Sequence, residues 1–122
     1  MATHVVDLQP WWPDFERLPT RSRLYYDSTV DSLLISFDPT RPAEHVYLDT
    51  GLISYVALRA ALDTAEVVGI EIDALQPLAL RQHPSWQRLV HMAGVDEFKA
   101  AEPADYPVIA AFIAEIAAFP LA

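Results

Sequence analysis

The chain has 122 residues, no cysteine and a formal net charge of −9, from 8 Lys and Arg against 17 Asp and Glu. This length fits one domain with a single core, and the lack of cysteine excludes disulfides and thiolate metal sites. The basic residues stand singly along the chain, whereas nucleic-acid binding needs clustered Lys and Arg that neutralise phosphates. We therefore expect no nucleic-acid partner, and the same charge disfavours anionic membranes.

The distribution of apolar and charged residues predicts where the protein is located and whether it has a partner. The segment from Met1 to Asp7 has neither the basic nor the apolar region of a signal peptide. The longest apolar stretch, Val108 to Ile116, contains Glu115 and is far shorter than the ~20 residues of a membrane span. We expect a cytoplasmic protein that does not enter membranes. Hydrophobic residues make up 52% of the chain and charged residues only 20%, which predicts that a second copy or a protein partner covers some apolar surface.

Residues 1–22 predict an irregular arm rich in tryptophan and proline. Trp11 and Trp12 lie between two prolines, and Pro13 is suited to open a one-turn helix that runs to Leu18. Two adjacent indoles near a terminus are too apolar for a free tail. We therefore expect the arm to lie across the domain or across a neighbouring copy.

Residues 23–75 predict a sheet, because apolar side chains there recur with a period of two. The connections are short and contain Asp, Pro and Gly, which favours an antiparallel β-meander of four or five strands. The strand segments start near Arg23, Ser32, Val46, Leu52 and Val67. The residues expected in the core are Leu33, Ile35, Val56, Leu58, Val68, Ile70 and Ile72.

Residues 76–122 predict a helical extension, so the fold class is α+β in one domain. One helix follows Pro84 and stops at Gly94, and Asp105 is placed to cap a last helix from Tyr106 to Phe119. That helix has Glu115 as its only charge, and a helix that is apolar all round is buried on more than one side. We therefore expect a homodimer or higher homo-oligomer whose interface includes Trp11, Trp12, Phe112, Ile116 and Phe119.

Two segments of the predicted sheet have distinctive motifs. Tyr26 to Ile35 follows the pattern Tyr-Asp-x-x-x-Asp-x-Leu-x-Ile, and Val67 to Ile72 reads Val-Val-Gly-Ile-Glu-Ile. These motifs resemble the first strand pair and the ending of the second hairpin in a short bacterial family known as domain of unknown function 2283. The resemblance covers about residues 23–75 and implies a small β-meander without an assigned activity. The tryptophan arm, extra residues around Arg59 to Leu62 and the helical last third depart from the family pattern.

Asp49, Thr50 and Gly51 match the triplet of retroviral-type aspartic proteases, which pair two aspartates across a homodimer. The match ends there, because Leu52 stands where a small residue is usual and Val67-Val68-Gly69 follows too soon to leave room for a flap. The triplet instead predicts a turn in which Gly51 supplies a positive φ. We expect no protease activity.

The spacing of residues along the sequence gives little support for a metal site or a cofactor site. Histidines occur at positions 4, 45, 83 and 91, without the spacing of a metal site. Carboxylates of Asp27, Asp31, Glu71 and Asp73 could meet around a divalent cation, although aspartate is also the natural residue of a turn and of a wet strand face. With three glycines there is no phosphate-binding loop. We predict no metal and no cofactor.

Two functions remain. The first is a small non-enzymatic interaction or homo-oligomerisation module, which uses the apolar surface. The alternative is a small-molecule-binding or hydrolytic site in a cleft between sheet and helices, where clustered carboxylates supply the chemistry. The residues expected to line that cleft are Tyr47, Tyr55, Arg59, Glu71 and Asp73.

Overall fold

In the computed structural model, which describes residues 10–51 and 53–122, seven strands form one mixed sheet. The strands are β1 (Arg23–Asp27), β2 (Ser32–Ser36), β3 (Ala43–Tyr47), β4 (Val56–Ala61), β5 (Val67–Ile72), β6 (Gly94–Val95) and β7 (Lys99–Ala100). Their order is β3-β4-β5-β2-β1-β6, and β7 also pairs with β1. The α+β class predicted from the sequence is confirmed.

The prediction of a purely antiparallel meander is wrong in two respects. β2 lies beside β5 and not beside β3, and β6 pairs with β1 in parallel, with Tyr25 opposite Gly94. The strand composition explains the order. β5 is buried along nearly its whole length, so it takes a central place with a neighbour on each side. β3 has exposed His45 and Tyr47 and suits an edge.

The core lies on the face of the sheet that the helices cover. All seven core residues predicted from the sequence are buried. In register, Leu24, Ile35, Ile70, Leu58 and Val46 form one inward row across five strands. Period-two alternation of apolar side chains therefore located both the strands and their buried face.

Four short helices complete the described chain: α1 (Leu18–Arg21), α2 (Leu80–Gln82), α3 (Gln87–Met92) and α4 (Tyr106–Ala117). A π-helical turn (Leu75–Ala79) precedes α2, and 3₁₀ turns (Pro84–Trp86 and Pro103–Asp105) precede α3 and α4. The predicted helix from Pro13 to Leu18 is wrong, because the helical turn begins at Leu18 and takes Pro19 into its first turn. Of the helices described, none has the length and hydropathy that crossing a membrane requires.

Helix α4 presents its large side chains to one side only. Ile109, Phe112, Ile113 and Ile116 are buried, and their spacing of three, four and seven residues places them on one helix face. The exposed positions of the helix are Pro107, Glu115 and three alanines, at 110, 111 and 114. The helix was predicted to be apolar all round, but composition alone did not separate the face with large side chains from the face with alanines.

The tryptophan arm pairs with the sheet of its own chain. The Trp11 N–H donates to the Ala65 carbonyl at 3.0 Å, and the Trp11 carbonyl accepts from the Val67 N–H at 2.8 Å. The Trp11 indole donates to the carbonyl of Thr64 at 2.7 Å. These bonds fix Trp11 beside the start of β5, and residues 1–9 of the predicted arm lie outside the described residues.

Candidate functional site

The outer face is the side of the sheet opposite the helices. Its central row crosses five strands in register and consists of Tyr25, Leu34, Glu71, Ala57 and Tyr47. The row towards the loop at 38–42 consists of Arg23, Ser36, Gly69, Arg59 and His45. Two concavities open on this face, and no helical residue lines either of them.

The structure brings four of the five predicted binding residues to the outer face. Tyr47, Arg59 and Glu71 lie in its rows, and Asp73 follows directly after β5. Tyr55 lies elsewhere, because it contacts His83 on the helix side. The expected cleft between sheet and helices therefore does not contain the predicted set, since the polar positions of each strand point away from the helices.

The acidic end of the outer face is a concavity of about 430 Å³. The Asp73 carboxylate accepts a hydrogen bond from the Ser32 hydroxyl at 2.7 Å, and the Glu71 carboxylate lies 3.3 Å from the His45 imidazole. The lining residues are Tyr25, Asp27, Val30, Ser32, Leu34, Glu71 and Asp73. Across residues 10–51 and 53–122, no group of three His, Asp or Glu side chains is placed to hold a metal ion.

Asp31, the remaining carboxylate of the proposed cation set, is directed to the other side. Its carboxylate accepts hydrogen bonds from the Tyr26 hydroxyl and from the Gln76 N–H, both at 2.8 Å. The bond to Asp31 raises the pKa of Tyr26. Asp31 therefore hydrogen-bonds to the start of the π-helical turn and does not lie with Glu71 and Asp73.

The basic end of the outer face is a smaller concavity of about 220 Å³. The Arg59 stem lies over Gly69, where an added Cβ would come within 3.3 Å of the Arg59 Cδ. Arg41 forms ion pairs with Asp63 at 3.0 Å and Glu66 at 3.3 Å. The hydrogen bond to Asp63 raises the pKa of Arg41. The lining residues are Leu34, Ser36, Asp38, Pro39, Arg41, Arg59 and Phe98.

The apolar part of the outer face includes a residue that sequence reasoning missed. The Phe98 ring lies 5.0 Å from the Tyr25 ring, centroid to centroid, and Phe98 is 44% exposed. Phe98 reaches this face because the segment from β6 to β7 pairs along β1. Two-residue strands carry too little periodicity to be read from sequence, so no local signal located Phe98.

A second polar cluster, the helix-side cluster, consists of Tyr55, His83, Trp86 and Glu115. The Tyr55 hydroxyl lies 2.9 Å from His83 Nε2, and the Glu115 carboxylate lies 3.6 Å from His83 Nδ1. The His83 ring stacks on the Trp86 ring at 4.0 Å, and the indole N–H donates to Glu115 at 2.9 Å. The sequence offered one signal for this cluster, the three-residue spacing of His83 and Trp86.

The polar groups of the helix-side cluster contact one another. Both nitrogens of the His83 ring face protein groups, and Tyr55 is only 2% exposed. Burial raises the pKa of Tyr55, and the Tyr55 hydroxyl shares a hydrogen bond with His83 Nε2. A general base needs a nitrogen within hydrogen-bond reach of substrate, and here the neighbouring side chains occupy both positions. The arrangement links the loop before β4 to α4.

The predicted interface residues have different environments. Phe112 and Ile116 are buried in the core of the chain, so they are not on the surface where the prediction placed them. Phe119 is half-buried beside His83, and Trp12 stacks on Phe15 at 5.5 Å. Trp11 is 48% exposed. Self-association itself stays a prediction, and its surface must lie elsewhere than the buried side of α4.

The triplet Asp49-Thr50-Gly51 forms the predicted turn. Gly51 has φ of +83°, and its N–H donates to the Asp49 carboxylate at 2.9 Å. The turn interpretation is therefore confirmed.

No family model, curated protein or solved structure matches this chain. The resemblance to domain of unknown function 2283 therefore stays a prediction from the strand motifs.

Proposed function

We propose that this chain is a non-enzymatic homodimerisation module that pairs through its outer face. One observation carries the proposal: the uncovered side of the sheet has an apolar centre between an acidic end and a basic end. A cytoplasmic location and membership of the family with the Tyr-Asp motif belong to the same proposal. Neither adds an activity.

The apolar centre supports docking of another surface. Tyr25, Leu34 and Phe98 lie together near the middle of the outer face, and Tyr47 is 44% exposed at one side. The solvent face of an antiparallel sheet is normally polar along its whole length, and contiguous apolar patches on such faces usually mark interaction surfaces. A flat sheet face suits a second flat surface of the same kind.

Charge complementarity favours a second copy as the occupant. The acidic end holds Asp27 and Asp73, whereas the basic end holds Arg41 and Arg59. A twofold axis that runs across the strands places the acidic end of one copy on the basic end of the other. The net charge of −9 opposes indiscriminate self-association, so only such a matched arrangement brings two copies together.

One observation favours the alternative of a small-molecule site. The acidic concavity has the volume of a small-ligand pocket, about 300 Å³ or more, and its carboxylates would suit an organic cation. It lies on the same face as the proposed dimer contact. If the site binds a small molecule instead, the protein should be monomeric. It should also bind an alkylammonium probe, and Glu71→Gln should lower the affinity for that probe.

Analytical ultracentrifugation of the full chain at micromolar concentration tests the dimer. We expect twice the mass of 13.6 kDa, and we expect Leu34→Arg to raise the dimer dissociation constant by about a hundredfold, because a charge then replaces an apolar centre. The matched control is Ala114→Arg, which places the same side chain on the exposed face of α4 and should leave the dimer intact.

The two variants also separate the competing surfaces. A dimer that survives Leu34→Arg but dissociates with Ala114→Arg would move the interface to α4 and contradict the proposal. A monomer mass for the unmodified chain at 100 µM would contradict it as well. Far-ultraviolet circular dichroism of each variant checks that the fold persists.

A further inference from the structure

Among the basic residues of this acidic chain, Arg59 combines partial burial with the lack of an ion pair within the described residues. It is half-buried on the outer face, and across residues 10–51 and 53–122 no carboxylate lies within ion-pair distance of its guanidinium. Ser36 lines the same concavity and is 5% exposed. A half-buried cation and a buried hydroxyl that share one concavity are suited to an anionic group from outside.

The shape of the concavity selects a carboxylate. Gly69 leaves room for the Arg59 stem to lie flat on β5, which directs the planar guanidinium towards β2. Guanidinium binds a carboxylate through two parallel hydrogen bonds, and a volume of about 220 Å³ admits an aspartate side chain. Asp38 also lines the concavity, but its carboxylate accepts two hydrogen bonds from Thr40, at 3.2 and 2.7 Å.

The strand register identifies a matching carboxylate on a second copy. Gly69, which underlies the Arg59 stem, stands two residues before Glu71 on β5, and Asp73 stands two residues after it. A twofold axis along the central row of the outer face exchanges these two positions. The Asp73 carboxylate of the second copy then lies over Gly69, beside the Arg59 side chain, and Asp27 of the second copy lies near Arg23.

We propose that the Arg59 concavity is a carboxylate-binding site and that Asp73 of a second copy occupies it. The inference rests on the proposed homodimer and adds its orientation and its specificity contact. One Asp73 oxygen already accepts from the Ser32 hydroxyl, which holds the side chain in place. That oxygen keeps a second lone pair, so both oxygens can accept from Arg59. The symmetry creates this pair twice in each dimer.

Charge reversal tests the pair by mixing. Arg59→Glu alone sets two carboxylates against each other at both contacts, and Asp73→Arg alone does the same with two guanidinium groups. We expect each variant to weaken its own homodimer at least tenfold. In a 1:1 mixture, one contact is the native pair and the other is the reversed pair. We therefore expect the mixture to recover a dimer within about threefold of the wild-type dissociation constant.

Matched controls separate this contact from changes in overall charge. Arg88→Glu and Glu16→Arg make the same charge changes at exposed positions of α3 and of the turn before α1, and their mixture should behave as the wild type does. If Arg59→Glu disturbs the fold by circular dichroism, Arg59→Gln with Asp73→Asn replaces the reversal, and each should weaken the dimer about threefold to tenfold.

The outcomes distinguish the inference from the function on which it rests. A wild-type dimer whose charge-reversal mixture stays monomeric would overturn the Arg59–Asp73 pair and leave the homodimerisation module standing. A wild-type monomer would overturn both. If millimolar benzoate shifts the Arg59 Nε–H resonance of the wild-type dimer as much as that of the Asp73→Asn dimer, the concavity is open in the wild type, and the assignment to Asp73 would be wrong.

Discussion

The helix-side cluster and the outer face contain the same kinds of side chain, but these side chains have different surroundings. Each contains a tyrosine, a histidine next to a glutamate and a second aromatic ring. In the helix-side cluster every polar group points at another member, and Tyr55 is sealed from solvent. On the outer face the His45–Glu71 pair is partly exposed, and Arg59 faces a concavity.

This difference shows that the presence of titratable residues does not by itself make a functional site. The helix-side cluster meets the composition of an acid–base site, yet its hydrogen bonds are satisfied internally, so it stabilises the fold. The outer face leaves an arginine without a described counter-charge, which is a cost to the isolated chain. Polar side chains without a partner in their own chain indicate a partner surface better than reactive side chains do.

The largest expected contrast comes from truncating one aromatic ring in each region. Trp86→Ala should lower the free energy of unfolding by about 3–5 kcal/mol, because it removes a buried indole and leaves Glu115 and His83 without their contact. Tyr25→Ala on the outer face should cost about 1 kcal/mol or less. Urea denaturation, at a concentration where the chain is monomeric, measures both. Equal costs would show that the outer face is as essential to the fold as the core.

A smaller effect is expected from Tyr55→Phe, which removes only the hydroxyl that hydrogen-bonds to His83. The loss of one buried hydrogen bond should cost about 1 kcal/mol near neutral pH. The variant should also lose less stability at alkaline pH. Burial raises the pKa of Tyr55 above its ordinary value of 10.0 in the folded chain, so the unfolded phenol ionises first.

The sign of that pH effect is fixed by linkage. The stabilisation from a raised pKa is fully present below about pH 10 and is lost as the pH rises through the folded pKa of Tyr55. Wild-type stability should therefore fall more steeply above pH 10 than that of Tyr55→Phe, as followed by urea denaturation at each pH. Parallel curves for the two proteins would show that the Tyr55 hydroxyl ionises as freely in the folded chain as in the unfolded chain.

The smallest expected effect separates the charge of Glu115 from its hydrogen bond. Glu115→Gln keeps an oxygen that accepts from the Trp86 indole but removes the charge that faces His83. We expect a loss of less than about 1 kcal/mol in unfolding free energy, since the carboxylate is partly exposed and its interaction with His83 is screened by solvent. Glu115→Ala, which removes both, should cost more. If the two variants lose the same stability, the charge and not the indole bond is the important contact.

The sequence predicted those parts of the fold that depend on local periodicity. Alternation identified β2 and β5 and placed Ile35 and Ile70 in the core, and Asp105 with Pro107 marked the start of α4. Each of these depends on side chains within a few residues of one another. The same periods failed where a strand has two residues, as in β6 and β7.

The candidate site was predicted in part for the same reason. Tyr47, Arg59 and Glu71 were placed together because alternate positions of neighbouring strands share a face. Tyr55 was misplaced, because it lies just before β4, where strand alternation no longer sets the direction of the side chain. The pairing of β2 with β5 and the approach of Phe98 to Tyr25 join distant segments, and no local pattern specifies them.

The contact between β2 and β5 divides the assembly of the sheet into two stages. β1 pairs with β2 and the strands β3, β4 and β5 pair in succession through short connections, so each half gains its hydrogen bonds at little cost in chain entropy. Joining the halves then fixes only the connection of residues 37–42 between β2 and β3. The two halves meet at one seam in the middle of the sheet, where Leu34 lies opposite Glu71 and Ile35 opposite Ile70.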